Sequence, residues 1–215
     1  MVVERLGIIP AAGKANRFGG VLKEMLPVYD GVTLIRRTLT ALHNGGCDAC
    51  VLITNREKLQ SHAQHLEDWQ VYYAVQFGGR DIWSAIVETL PIHGKVNLFA
   101  MPDTYYPADI FTDFMTGDFT MGAFETTAPE RFGVILENGI VNKQEMPAGT
   151  YQAWGVLGWT DKVAKLWIDH IDHIETYTQA LNMAIAEFGY HVKPMEYYYD
   201  LAAWSDYQQF IRKES

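Results

Sequence analysis

Short apolar runs alternate with longer amphipathic stretches through the first half of the chain. Residues 6–10, 49–54, 71–75 and 96–101 read as strands, while residues 34–43, 58–69 and 82–90 carry apolar positions at helical spacing. Each connection is long enough for a right-handed strand–helix–strand crossover, so these segments predict a mainly parallel sheet. After Pro102 the pattern changes. Aromatic, Gly and Thr residues gather over 118–127, and two apolar segments, 132–136 and 140–141, flank Glu137-Asn138-Gly139 as a hairpin would. Residues 161–171 and 176–188 predict helices, 191–198 a strand, and 202–211 a last amphipathic helix.

The expected fold is therefore α/β: a single-domain, Rossmann-like α/β/α sandwich with a mainly parallel mixed sheet and a strand-rich excursion. One domain is expected over 1–215, with residues 1–103 forming a nucleotide-binding half and 104–215 an acceptor-binding half. Composition agrees with one compact unit: 215 residues, 48% of them hydrophobic and 20% charged, can bury a sizeable core. Repeats, low-complexity segments and a linker are not evident.

Charge then narrows the partners. The formal net charge of -9 gives no electrostatic footprint for nucleic acid or an anionic membrane, so any phosphate must be held locally. No apolar run approaches the roughly 20 residues that cross a bilayer, and a cytoplasmic location is expected. Two cysteines, Cys47 and Cys50, are too few for a disulfide framework or a four-ligand zinc site. Reduced thiols between a helix and a strand are the simple reading; a redox pair is the alternative.

The strongest local feature is IIPAAGKANRFGGVLKEMLPV, where an apolar strand runs into Ala11, Ala12 and Gly13, followed by Lys14, Arg17 and Lys23. Small residues let backbone N–H groups approach phosphate oxygens, and local basic side chains can neutralise a triphosphate on an acidic protein. Spacing excludes two commoner readings. Ala15 follows Gly13-Lys14 where a P-loop needs Ser or Thr, and no GxGxxG follows the first strand. Taken alone, the segment could equally be an ordinary strand-to-loop turn with surface cations.

The continuation resembles the sugar-phosphate nucleotidylyltransferase family, in which a small-residue turn, an Arg and a later Lys before an apolar-Leu-Pro-Val segment follow the first strand. Here these are Pro10-Ala11-Ala12-Gly13, Arg17 and Lys23-Glu24-Met25-Leu26-Pro27-Val28. Three further matches keep the family's order. Val75-Gln76 before Gly78-Gly79 resembles the segment whose Gln reads the nucleobase edge and whose Gly lies by the base or ribose. Phe99-Ala100-Met101-Pro102-Asp103 resembles the strand ending in an acidic metal ligand, and Tyr198-Tyr199-Asp200 the region of the second.

The resemblance implies transfer of NMP from an NTP to a small phosphorylated acceptor, a sugar 1-phosphate, with release of pyrophosphate and with magnesium as cofactor. Asp103 and Asp200 would hold the ion, since magnesium usually binds one or two carboxylates plus substrate phosphates. Arg17 would cradle the β- and γ-phosphates, and Lys23 would stabilise charge at the α-phosphate and the acceptor; Ala11, Ala12, Gly13, Lys14, Gln76 and Gly79 would contact the nucleotide. Glu145 and Gly155 would face the acceptor. Each residue has a plainer role open to it: Asp103 as the cap of a turn, Asp200 as the N-cap of the last helix, Gln76 and Gly79 as the end of a strand.

The segment departs from the family in three places. Lys14-Ala15-Asn16 replaces a Gly-Thr before Arg17, the six positions from Arg17 to Lys23 make a short loop, and Met146 stands where many sugar enzymes have Lys. The short loop lies nearer the cytidylyltransferases of polyol or amino-alcohol phosphates, and the altered turn leaves a noncatalytic nucleotide-binding module as a further reading. Tyr151, Trp154 and Trp159 suit either an aromatic wall for a sugar or a core. His62 with His65, and His170 with His173, sit at helical spacing without a third ligand and read as solvated helix faces. The many aromatic residues leave room for a homo-oligomeric interface.

Overall fold

The computed structural model describes residues 3–13, 18–77, 81–142 and 146–214. Four parallel strands form one side of the central sheet: β1 (Arg5–Pro10), β2 (Ala49–Thr54), β3 (Val71–Val75) and β4 (Val96–Ala100), in the order β3-β2-β1-β4. The helices α1 (Leu34–Asn44), α2 (Leu59–His65) and α3 (Ile82–Thr89) fall between them. Their sequence signals are local ones. Helix α3, for instance, is capped by Asp81, whose carboxylate accepts from Ser84 N at 2.9 Å.

Beyond β4 the sheet becomes antiparallel. Strand β9 (Tyr151–Thr160) lies between β4 and β6 (Phe119–Thr126), pairs antiparallel with both, and leaves β10 (His191–Pro194) parallel to β6 at the edge. The predicted hairpin forms as β7 (Gly133–Leu136) and β8 (Gly139–Asn142), joined to β9 through Val134. Helices α4 (Asp161–Asp169), α5 (Tyr177–Phe188) and α6 (Trp204–Glu214) complete the chain. The fold is thus mixed α/β with a Rossmann-like parallel half, as expected.

The pleat divides the core. Ile8, Ile53, Phe99 and Leu157 pack on the face of α3, α4 and α5, around Trp83, Trp159 and Trp167. Ile9, Leu52, Leu98 and Val156 face the other way, onto α1 and the Phe111–Phe114 ring pair. A smaller cluster of Val28, Leu34, Tyr105, Leu201 and Phe210 ties α6 to the segment after the first turn.

One expectation needs correction. The predicted strand over 191–198 stops at Pro194, because β10 has β6 as partner only through Ala123; the chain then bends and pairs again as β11 (Tyr199–Asp200) with β5 (Thr104–Tyr105). Of the two roles open to Trp154 and Trp159, the structure gives them the core: Trp159 is fully buried against Phe99 and Trp167, and Trp154 meets Tyr177 edge to face.

Candidate active site

All four parallel strands end at one edge of the sheet, and the residues that follow them gather there. Ala11–Gly13 after β1, Asn55 after β2, Gln76 after β3 and Met101–Asp103 after β4 share that edge. Open α/β sheets bind ligands outside the carboxyl ends of their strands.

The acid pair is made by the two-residue ladder β5–β11. Its antiparallel register sets Asp200 opposite Thr104, and Leu201 N donates to Asp103 O at 3.2 Å, so residues 97 positions apart lie side by side. Burial pushes the Asp200 carboxyl above its ordinary range, and the neighbouring Asp103 charge adds to the effect, against Arg131 and Lys23. Asp103 is 5% exposed; its Oδ2 accepts from Lys23, while its Oδ1 is buried and has no hydrogen-bond partner among the described residues. An ionised oxygen left in that condition is costly unless a cation reaches it.

Lys23 begins a 3-10 turn, Lys23–Met25, and its ammonium pairs with Asp103, joining the first turn of the fold to the acid pair. Across the site, Arg131 Nη2 donates to Asp200 Oδ2 at 3.0 Å and to Asp206 Oδ2 at 3.1 Å. Gln76 is 7% exposed and its side-chain amide nitrogen has no partner among the described residues, while its backbone N–H donates to Thr54 O at 2.8 Å. Its amide is therefore anchored at the backbone and unspent at the tip. Among the described residues, a Cβ built at Gly13 would meet no atom within 4 Å.

Beneath the turn lies a buried polar network that sequence reasoning missed. Lys58 Nζ donates to Glu24 Oε1 at 2.9 Å and to Ala11 O at 3.1 Å. His62 Nε2 meets the same carboxylate oxygen at 2.9 Å, and its Nδ1 meets Thr54 Oγ1 at 2.8 Å. Asn55 Nδ2 donates to Ala12 O at 2.8 Å. Burial alone would raise the Glu24 carboxyl, but the His62 bond and the Lys58 charge outweigh it and hold Glu24 below its ordinary range. His62, expected on a solvated helix face, is fully buried, because Glu24 lies over that face of α2. His170 and His173 are exposed as expected. The one available signal was the charge of Glu24 immediately before the apolar run Met25-Leu26-Pro27-Val28.

Gly155 meets protein rather than open space: a side chain there would strike Tyr198 and Met195. Tyr198 in turn stacks between Phe124 and Tyr106, with centroids 4.3 and 6.3 Å away. Lys14, Arg17, Gly79 and Glu145 lie outside the described residues. Among the described residues no cluster of three or more acidic, His or Cys side chains could hold a metal, so Asp103 and Asp200 stand as a pair. Cys47, between α1 and β2, and Cys50, within β2, are free thiols.

Comparison with known proteins gives two findings. Residues 7–106 match a family profile described as a MobA-like NTP transferase domain. A solved structure of a Bacillus anthracis protein assigned as a glucose-1-phosphate thymidylyltransferase, in complex with sucrose, superposes with a TM-score of 0.82 at 19% identity, covering 97% of this chain and 94% of that one. A search of curated proteins found no match.

Proposed function

We propose that this chain, which matches an NTP transferase profile over residues 7–106 and shares the fold of a solved structure assigned as a sugar-phosphate thymidylyltransferase, is a nucleotidyltransferase that transfers the NMP of an NTP to a sugar 1-phosphate. The observation that carries this reading is the meeting of Asp103 and Asp200, with Lys23 on Asp103, at the edge where the phosphate-facing turn ends. Magnesium fits this pair: the unpartnered Asp103 Oδ1 and the mutual repulsion of the two carboxyls both ask for a cation, and two carboxylates plus substrate phosphates suit that ion. When bound there, it would neutralise charge on the phosphates.

The chain's own residues align and neutralise the reactants. An acceptor phosphate oxygen attacks the α-phosphate in line and pyrophosphate leaves opposite. A phosphate monoester, with a second pKa of about 6, is largely ionised near neutral pH, so no general base is needed. Lys23 donates to the α-phosphate as charge builds there, a contribution of about 2.7 to 4 kcal/mol by analogy with one oxyanion donor. Backbone N–H groups of Ala11–Gly13, with Lys14 and Arg17, hold the β- and γ-phosphates. Gln76 offers its free amide to the base edge, and Gly79 lies by the ribose. Glu145 takes acceptor hydroxyls, and Gly155 acts through the Tyr198 ring it admits.

A second reading of the acceptor has its own support. A cleft of about 360 Å³ beside the site is lined by Phe124, Tyr197 and Tyr198 with Glu125, Gln152 and Glu196. Carboxylates and aromatic faces suit an amino-alcohol, so a cytidylyltransferase of an amino-alcohol phosphate is the alternative. Pyrophosphate release should be measured with magnesium, each NTP, and panels of sugar 1-phosphates and amino-alcohol phosphates. Turnover with a sugar 1-phosphate supports the main reading; turnover confined to CTP and amino-alcohol phosphates selects the second. A folded protein that binds NTP yet is silent on both panels is a binding module instead.

A further inference from the structure

The proposed reaction brings a doubly charged acceptor phosphate beside two carboxylates, and Lys23, paired with Asp103, is shared between the α-phosphate and that acceptor. A second cation must face the acceptor, and Met146 supplies no charge. Among the described residues, the cation paired with Asp200 is Arg131, at the end of the turn Pro129–Arg131 that leaves β6. Its guanidinium rests 5.7 Å from the Phe132 ring, which packs edge-on to Phe124 and Tyr198, the rings lining the adjoining cleft. The Arg131 side chain is 41% exposed, so a ligand can reach it where it stands.

We propose that Arg131 is the acceptor-phosphate residue: its planar fork, shared between Asp200 and Asp206, binds the phosphate monoester of the acceptor. The assignment rests on the nucleotidyl-transfer reading of the site. A guanidinium presents parallel donors that match a phosphate bidentately, and its two present partners are carboxylates of like geometry. Asp206 holds Arg131 from the first turn of α6 and keeps it at the lip of the site when Asp200 turns to other partners. Arg131 and a divalent cation therefore compete for the Asp200 carboxylate, and the phosphate of an arriving acceptor compensates the arginine.

The experiment uses the full chain with Arg131→Ala, Arg131→Gln and Arg131→Lys. With acceptor varied at saturating NTP, Arg131→Ala and Arg131→Gln should raise the acceptor KM on the order of 10- to 100-fold, the worth of a charge-assisted bond. The NTP KM should stay within about twofold, and Arg131→Lys should fall between because it keeps charge but loses the fork. Calorimetric titration with Mn2+ alone reads the competition without turnover: binding should tighten in Arg131→Gln. An unmoved acceptor KM, equal rises in both KM values, or weaker Mn2+ binding in folded Arg131→Gln would overturn the assignment. Should Arg131→Ala fail to fold, the Gln and Lys variants decide. A wild-type protein inactive on every substrate pair would instead fell the proposed reaction itself.

Discussion

Replacing Lys58 by Met tests whether the buried network under the Ala11–Gly13 turn is structural scaffolding of real weight. The substitution keeps the length of the side chain but removes the charge that Glu24 and the Ala11 carbonyl share. Both partners are almost fully enclosed, with side-chain exposures of 7% and 2%, so water cannot take over the lost bonds. Leaving one member of a buried ion pair behind costs about 3–5 kcal/mol, and His62 alone remains on the carboxylate. Against a total stability of about 5–15 kcal/mol for an ordinary domain, the variant should still fold. Urea titration followed by fluorescence of the buried Trp83, Trp159 and Trp167 group reads the loss directly, with the midpoint falling at unchanged slope. Adding Glu24→Gln should restore more than half of it, since the stranded charge is gone while an acceptor for His62 remains. A loss below about 1 kcal/mol, or a double variant no better than the single one, would refute this reasoning.

The remaining predictions concern the same edge of the sheet. Because the folded Glu24 carboxyl lies below its ordinary value, its stabilising share is present above pH about 4.5 and disappears as pH falls further; Glu24→Gln should flatten acid unfolding in that window. Asp200 has the opposite sign. Its carboxyl is raised, so ionised Asp200 costs stability above its unfolded value, and Asp200→Asn should raise Tm at pH 7 while cutting turnover at least 100-fold; a lower Tm would contradict the burial argument. Gln76→Leu, which fills the same space without a polar tip, should weaken NTP binding about tenfold in a thermal-shift titration and leave the acceptor KM unmoved.

What the sequence made legible follows from how local each signal is. The strands β1 to β4 and the cap at Asp81 are written in adjacent residues, and the order Gly13, Lys23, Gln76, Asp103 and Asp200 gave the site its outline. Strand β9 was harder to read because Gly155 and Gly158 interrupt its run; in three dimensions they make room for Tyr198 and for Phe114 with Met115. His62 and Arg131 carry no local mark at all. Their partners lie 38 and 69 positions away, and only the closed fold shows that one is enclosed and the other stands beside an acid. The broken strand at Met195 belongs to the same class, since the partner that ends one ladder and begins the next is chosen by tertiary pairing.

The short ladder between Tyr199–Asp200 and Thr104–Tyr105 has a consequence for biosynthesis. A nascent chain that has emerged only through the region matching the NTP transferase profile holds Asp103 and Lys23 but lacks the second acid. On the proposed reading, chemistry waits until Asp200 has been synthesised and paired with Thr104, and a clipped product ending before it would bind NTP without consuming it.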